Sequence, residues 1–365
     1  MKAKSLVVMM LLASTLVFAA CGSKDEEVVS TEVETEIETE TETEEPPKYI
    51  TNEDAPEGMI VSELTGEFIK EELEKQRPLA VMIDNEKIAL PHYGVTKADI
   101  VYEMVNSEHN DRVTRLMALV KDWESIEQLG NVRSARVTNC FLVMGWNAIL
   151  CHDGGPIYIN PYVSLPYCNH LNGGFDRVPN GKSREFTEYI TTEDNIAKRL
   201  KANKISREYQ TDYYEGPRFQ WLETVDLGVE AMDATYIAPP FPHNSSELTY
   251  NEEDQLYYYS EYGEPHLDPG NDNAQLSFKN VIIQKADMYI HEGDNNGYMY
   301  YDIIEKRNDG YYIVNGKAIP IQWVKVSATS PTKYFDMDGN EVALNVGKTY
   351  IALVPSDAWE KMVIE

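Results

Sequence analysis

Cationic side chains are scarce in this chain of 365 residues. Lysines and arginines number 32 against 61 aspartates and glutamates, for a formal net charge of −29. That balance excludes a nucleic-acid-binding face, which needs clustered positive charge. It also sets the protein against anionic membrane surfaces unless something tethers it. Cysteines number only four. With Cys21 set aside, Cys140, Cys151 and Cys168 are an odd number, so no complete disulfide framework exists. A single 140–151 bond and buried thiols are the two readings, and the apolar runs around two of the three favour buried thiols. No C-x-x-C spacing is present, and no metal ligation or cofactor is expected from the sequence. A Walker loop, a G-x-S-x-G elbow, an H-E-x-x-H pair and a G-x-G-x-x-G turn are all lacking. The apolar run at the N-terminus, residues 5–20, has 16 residues. That is short of the roughly 20 a spanning helix needs.

What that run does fit is a signal h-region. Met1-Lys-Ala-Lys precedes it, and it ends F-A-A-C-G. Small residues directly before Cys21 form a bacterial lipoprotein box, with Phe18 where leucine is usual. The expectation is a signal peptide over 1–20, lipidation of Cys21, and anchoring to the extracytoplasmic face of the cell membrane. Residues 22–50 then carry 11 acids and two lysines in a Thr-Glu alternation. Like charges at every second position disfavour a packed sheet. The segment 21–50 therefore reads as a disordered, self-repelling stalk. Residues 51–365 retain a net charge of −22.

Ordered sequence begins near residue 56. L-A-V-M-I-D-N (79–85) is a continuous apolar run closed by Asp-Asn, as in a buried strand. A-D-I-V-Y-E-M-V (98–105) and R-V-T-R-L-M-A-L-V (112–120) are further strands, joined as a hairpin through S-E-H-N-D. After Ser134, apolar residues at Val137, Cys140, Phe141 and Met144 keep the helical period. Gly145 ends that helix, and N-A-I-L-C-H-D-G-G (147–155) returns as a strand. Residues 161–215 are loop-rich, with a helix over 191–204 started weakly by Thr192 and Asn195. From 233 onward, short Tyr- and Ile-rich runs alternate with N-D-G, V-N-G-K and D-M-D-G-N turns, the pattern of antiparallel sheet. The division expected is an α/β domain over 56–232 and a β-rich domain over 233–365.

Several of these stretches together resemble the YerB-like lipoproteins, a domain family of unknown function (number 3048). They are R-P-L-A-V-M-I-D-N (77–85), G-V-T-K-A-D-I-V-Y-E (94–103), T-R-L (114–116), V-R-S-A-R (132–136) and H-D-G-G (152–155). P-H-L-D (265–268), N-V-I-I-Q (280–284), S-P-T (330–332) and G-K-T-Y-I-A-L-V-P (347–355) continue the match. The resemblance implies an α/β to α+β layered domain with a mixed sheet, followed by a β-rich, mostly antiparallel portion. No activity comes with it.

The candidate site centres on V-R-S-A-R. Ser134 reads as an N-cap, with Arg133 before it and Arg136 in the first turn. Two cations at a helix N-terminus oppose its dipole unless an anion sits between them. That anion is either a ligand, held with Gly154 and Gly155 backbone, or a carboxylate such as Asp84, Glu103 or Asp153. Arg115, in T-R-L, joins the same set. His152 and Asp153 end a strand before two glycines, where α/β folds place ligand-binding groups, and Asp84 could orient His152 as a general base. His266 and Asp268 share one face if extended, for ligand contact or simply as part of a turn. The leading expectation is a small anionic or cell-envelope ligand. A cell-wall-acting hydrolase or transferase and a surface protein-interaction module are the alternatives.

Overall fold

The computed structural model describes residues 47–192, 196–216 and 219–365. The expected signal peptide, the Cys21 lipidation site and the stalk up to residue 46 lie outside the described residues. So do Glu193–Asn195, which include half of the cap expected for the helix over 191–204; the helix itself runs Ile196–Ala202.

Twelve strands form the main sheet. In its front half are β1 (Leu79–Asp84), β2 (Ile100–Val105), β3 (Thr114–Val120), β4 (Ile149–His152) and β5 (His170–Asn172). The back half supplies β6 (Met232–Asp233), β7 (Asn280–Ile290), β8 (Met299–Asp302), β9 (Arg307–Val314), β10 (Lys317–Val324), β11 (Lys333–Phe335) and β12 (Thr349–Pro355). The order is β6-β10-β9-β7-β12-β2-β3-β1-β4-β5, with β8 on β7 and β11 on β10. Strands β1, β4 and β5 run parallel, as do β7, β12 and β2, while β3 runs against both its neighbours.

Each half was expected to hold its own domain. One sheet takes strands from both sides of position 232/233, and β12 pairs in parallel with β2 over Thr349–Leu353. The physical reason is that β2 is buried along its whole length, so its backbone groups need a partner strand on each edge. Its hairpin mate β3 covers one edge, and only a strand from the chain's far end covers the other.

Strands β1, β2, β3 and β12 are buried at every position. That is why they read as continuous apolar runs rather than alternating ones. One face is covered by helix α1 (Val137–Trp146). Its Trp146 Nε1 donates to Tyr102 Oη at 2.9 Å. The opposite face, carrying Glu103 and Tyr350, meets Asn244 and Tyr259. Tyr259 belongs to a six-stranded antiparallel sheet that includes Glu247–Asn251 and Leu256–Glu261, and Asn244 to the turn that leads into it. Leu256–Glu261 alternates half-buried and buried, as a strand with one wet face should. The result is a β-rich α+β fold in three layers: helix, mixed sheet, antiparallel sheet. Within this body Cys140, Cys151 and Cys168 are buried and not disulfide-bonded to one another.

Candidate functional site

The carboxyl ends of the parallel strands β1, β2 and β4 lie at one edge of the sheet, together with the start of β3. Asp84, Arg115 and His152 therefore come to that edge by strand direction alone. The segment between Asn131 and Val137 crosses the same edge before entering α1. Its backbone is pinned on both sides: Arg133 N–H donates to Met82 O at 2.9 Å, and Val132 N–H to Glu188 O at 2.7 Å.

Asp84 is fully buried. Arg115 Nη1 lies 3.1 Å from its Oδ1 and Arg133 Nε lies 2.6 Å from its Oδ2. The second is a charge contact without a well-directed hydrogen bond, since neither atom finds a hydrogen-bond partner. Arg136 is also buried, yet it meets no carboxylate among the described residues. Its Nε donates to Asn106 O at 3.2 Å and its Nη1 to Ala135 O at 2.9 Å, while the guanidinium sits 4.3 Å above the Tyr298 ring. Burial first, then repulsion from Arg115, pulls Arg136 down to about 9, where it is still protonated at neutral pH. Two guanidiniums thus share one buried carboxylate, and a third, buried beside them, has none within ion-pair reach among the described residues. Two more buried donors, Arg115 Nε and Asn106 Nδ2, have no acceptor.

Ser134 does not cap α1. Arg136 occupies the cap position, and its N–H donates to Asn139 Oδ1 at 2.7 Å. The Ser134 hydroxyl donates to Asp153 O at 3.0 Å instead, so it ties V-R-S-A-R to H-D-G-G. Arg136 was expected one turn position later, within the helix; the helix begins just after it because its own φ/ψ is extended.

His152 is not oriented by Asp84. Its Nδ1 faces Gly154 O at 2.7 Å and its Nε2 faces His170 Nδ1 at 2.9 Å. A carbonyl only accepts, so Nδ1 carries the proton and Nε2 accepts from His170. Burial pushes His152 down to about 4, with His170 adding to the depression. Asp84 is unavailable because the arginines engage it, and the Gly154 turn supplies the acceptor. Gly154 has φ +78°, and a side chain at Gly155 would collide with Ile159 and Ala135 O, which is why this turn takes two glycines.

Beside His152 stands a second acidic pair. Asp153 and the buried Glu188 share Arg177. Burial, then the hydrogen-bonded Asp153, raises Glu188 to about 7.

The remaining candidates lie away from this edge. Glu103 is fully buried between the sheets, where it accepts from Tyr350 Oη at 2.6 Å, Asn244 Nδ2 at 2.8 Å and Tyr259 Oη at 3.1 Å. It does not pair with Arg133 or Arg136. Burial raises its pKa and the neighbouring Glu261 adds to the rise. His266 and Asp268 do not work together. Asp268 is a backbone tie, accepting from Gly94 N–H at 2.9 Å and Thr96 N–H at 3.1 Å. His266 Nδ1 pairs with Glu261 Oε1 at 2.8 Å.

Sequence reasoning missed Asn106, His170, Arg177, Glu188, His92 and Glu261. Asn106 directly follows β2, and strand-end position was a usable signal for it. His170, Arg177, Glu188 and Glu261 lie in short strands and His92 in a loop, and no spacing marks any of them.

Two family models match the chain: Protein of unknown function (DUF3048) N-terminal domain over residues 64–206, and the corresponding C-terminal domain over 237–351. The Bacillus subtilis (strain 168) protein named "Putative lipoprotein YerB" is 24% identical over 305 residues, covering 80% of this chain and 85% of its own. The crystal structure of YerB protein from Bacillus subtilis superimposes with a TM-score of 0.69 at 23% identity, over 84% of this chain and 99% of that one. The likeness carries the fold. No helix among the described residues is long and apolar enough to cross a membrane.

Proposed function

We propose, for a chain that belongs to the DUF3048 family of proteins of unknown function, that it is a lipid-anchored extracytoplasmic protein that binds a small anionic ligand at the Arg115/Arg133/Arg136 edge. One observation carries the reading: Arg115 and Arg133 share the single buried carboxylate of Asp84 while the buried Arg136 beside them has no carboxylate among the described residues, in a protein of net charge −29. A buried cation with no anion is costly unless something compensates it. Arg133, with a side chain 20% exposed, is the way in. Arg136 and the unused donors of Arg115 and Asn106 supply the inner field. Guanidiniums suit carboxylate and phosphate equally. The lipobox before Cys21 and the name of the Bacillus subtilis relative support the anchor.

Native mass spectrometry of protein extracted from its own membranes tests the reading. A co-purifying anion of fixed mass, lost in Arg133→Gln and Arg136→Gln, is the expected result. A parent that carries nothing, or variants that carry the same mass, would refute it.

One observation favours a second reading, acid–base chemistry on cell-envelope material. Glu188, buried and raised to about 7 beside Asp153, is suited to donate a proton at neutral pH. In that reading the working pair is Glu188 and Asp153 rather than Asp84 and His152. Hydrolysis of envelope fragments that disappears in Glu188→Gln would establish it.

A further inference from the structure

Between the two sheets lies a cluster that the anion reading does not use. His92 follows β1 in the L-P-H-Y loop. Glu261 ends the strand Leu256–Glu261, and His266 lies just past the next short strand, Glu264–Pro265. Tyr262 and Gly263 both take positive φ, 55° and 76°, which makes the tight two-residue turn of a hairpin. That turn folds E-Y-G-E-P-H back on itself and brings His266 against Glu261. The three side chains are 0%, 1% and 3% exposed for His92, Glu261 and His266.

Nε2 of His266 has no hydrogen-bond partner among the described residues, and neither nitrogen of His92 makes a well-directed one, the ring approaching only the Asp84 backbone. Buried imidazole nitrogens are normally satisfied. The rings stand 5.0 Å apart, tilted by 50°. One donor atom from each of the three residues falls within 4.8 Å of the others. The charge is also uneven. Glu261 and Glu103 are both buried and share one donor, Asn244 Nδ2, at 3.2 Å and 2.8 Å. Neither carboxylate has a lysine or arginine partner among the described residues.

We propose that His92, His266 and Glu261 bind a first-row divalent transition ion, with zinc the ion their donor set fits. Two imidazoles and a carboxylate are a known zinc donor set, with bonds near 2.0–2.2 Å. Tetrahedral geometry at those bond lengths places donors about 3.4 Å apart, so loading draws the present arrangement inward by side-chain rotation. The shell behind the ligands is already built. Glu261 Oε2 accepts from Asn244, and Asn244 in turn holds Glu103, the pattern that orients metal-bound carboxylates. The ion neutralises the paired acids and takes Nε2 of His266 and one nitrogen of His92, leaving the other His92 nitrogen to the Asp84 backbone. It also stitches the loop after β1, from the front half of the chain, to a hairpin from the back half. Asp268, from the same hairpin region, already makes a parallel tie to Gly94 and Thr96.

The test uses the full chain in detergent, unfolded with a chelator and refolded with zinc chloride or cobalt chloride. Elemental analysis after gel filtration should give close to one ion per chain. His92→Phe and Glu261→Gln should lose it, with apparent zinc affinity weakened at least 100-fold, while His109→Ala keeps it. Cobalt-loaded parent should show visible d–d absorption, a readout that needs no variant to fold. Less than a tenth of an ion in the parent, a colourless cobalt form, or unchanged metal content in folded His92→Phe would each overturn the proposal and leave a bridging water as the partner of these nitrogens.

Discussion

Asp84→Asn is the most informative perturbation of the arginine edge. Asp84 is fully buried and is the one carboxylate within reach of both Arg115 and Arg133. The amide keeps the shape and can still accept from Glu86 N–H, which now donates to Oδ1 at 3.1 Å. It removes the buried negative charge that Arg115 and Arg133 share. Removing one partner of a buried pair costs about 3–5 kcal/mol. For domains of 150–250 residues, 1 kcal/mol shifts Tm by about 2–4 °C, and this longer body falls at the low end, giving a loss of roughly 6–10 °C. Urea unfolding should show the same loss as a lower midpoint at unchanged slope, because the surface exposed on unfolding is the same. Phosphate at matched ionic strength should recover more stability in the variant than it adds to the parent, since the variant's cations have no internal anion. A loss under about 1 kcal/mol would mean that the ion pairs are solvated and weak. It would refute the claim that this edge stores uncompensated positive charge.

Other predictions follow from the same geometry. His152, held down to about 4, should stay neutral in the fold well below its unfolded value of about 6.5; its contribution is complete above pH 6.5 and falls away towards pH 4, by about 3 kcal/mol. Glu188 and Asp99, both raised to about 7, act oppositely and lose stability as pH rises towards 7, so the pH profile of parent minus His152→Gln isolates the histidine. A His152 ring that titrates near 6.5 by NMR would contradict its burial. Tyr350→Phe takes the 2.6 Å donor from Glu103 and should cost about 1–3 kcal/mol in urea unfolding; no loss would show that water replaces the hydroxyl. Cys21→Ser should leave the protein unprocessed or release it to the medium in fractionation, because 16 apolar residues cannot hold a spanning helix; a processed, membrane-bound variant would contradict lipid anchoring.

Much of the front half is legible in sequence because its signals are local. The runs 79–85, 98–105 and 112–120 each contain a strand, and the period from Val137 to Met144 marks α1. The pairing of β12 with β2 is not legible, since about 250 residues of sequence separate them and any buried apolar strand would serve as partner. Of the carboxylates Asp84, Glu103 and Asp153 set against the two arginines, Asp84 meets Arg133, and Glu103 meets neither. Glu103 is on the face away from α1, a distinction set by strand alternation once β2 is placed. His266 and Asp268 were grouped by an assumed extended backbone. The hairpin turn at Tyr262-Gly263 pairs His266 with Glu261 instead. His92 has no local signal, because its partners lie about 170 residues away.

The central claim is that the Arg115/Arg133/Arg136 edge takes an anion, and phosphate binding to the full chain tests it most directly. Melting temperature is measured in phosphate against chloride at equal ionic strength, for the parent and for Arg136→Gln. The account predicts a rise in the parent that follows RT ln(1 + [L]/Kd), reaching about 2.7 kcal/mol at 100 times Kd, and no phosphate-specific rise in a folded Arg136→Gln. An equal response to phosphate and chloride in the parent, or an undiminished phosphate response in Arg136→Gln, would contradict it.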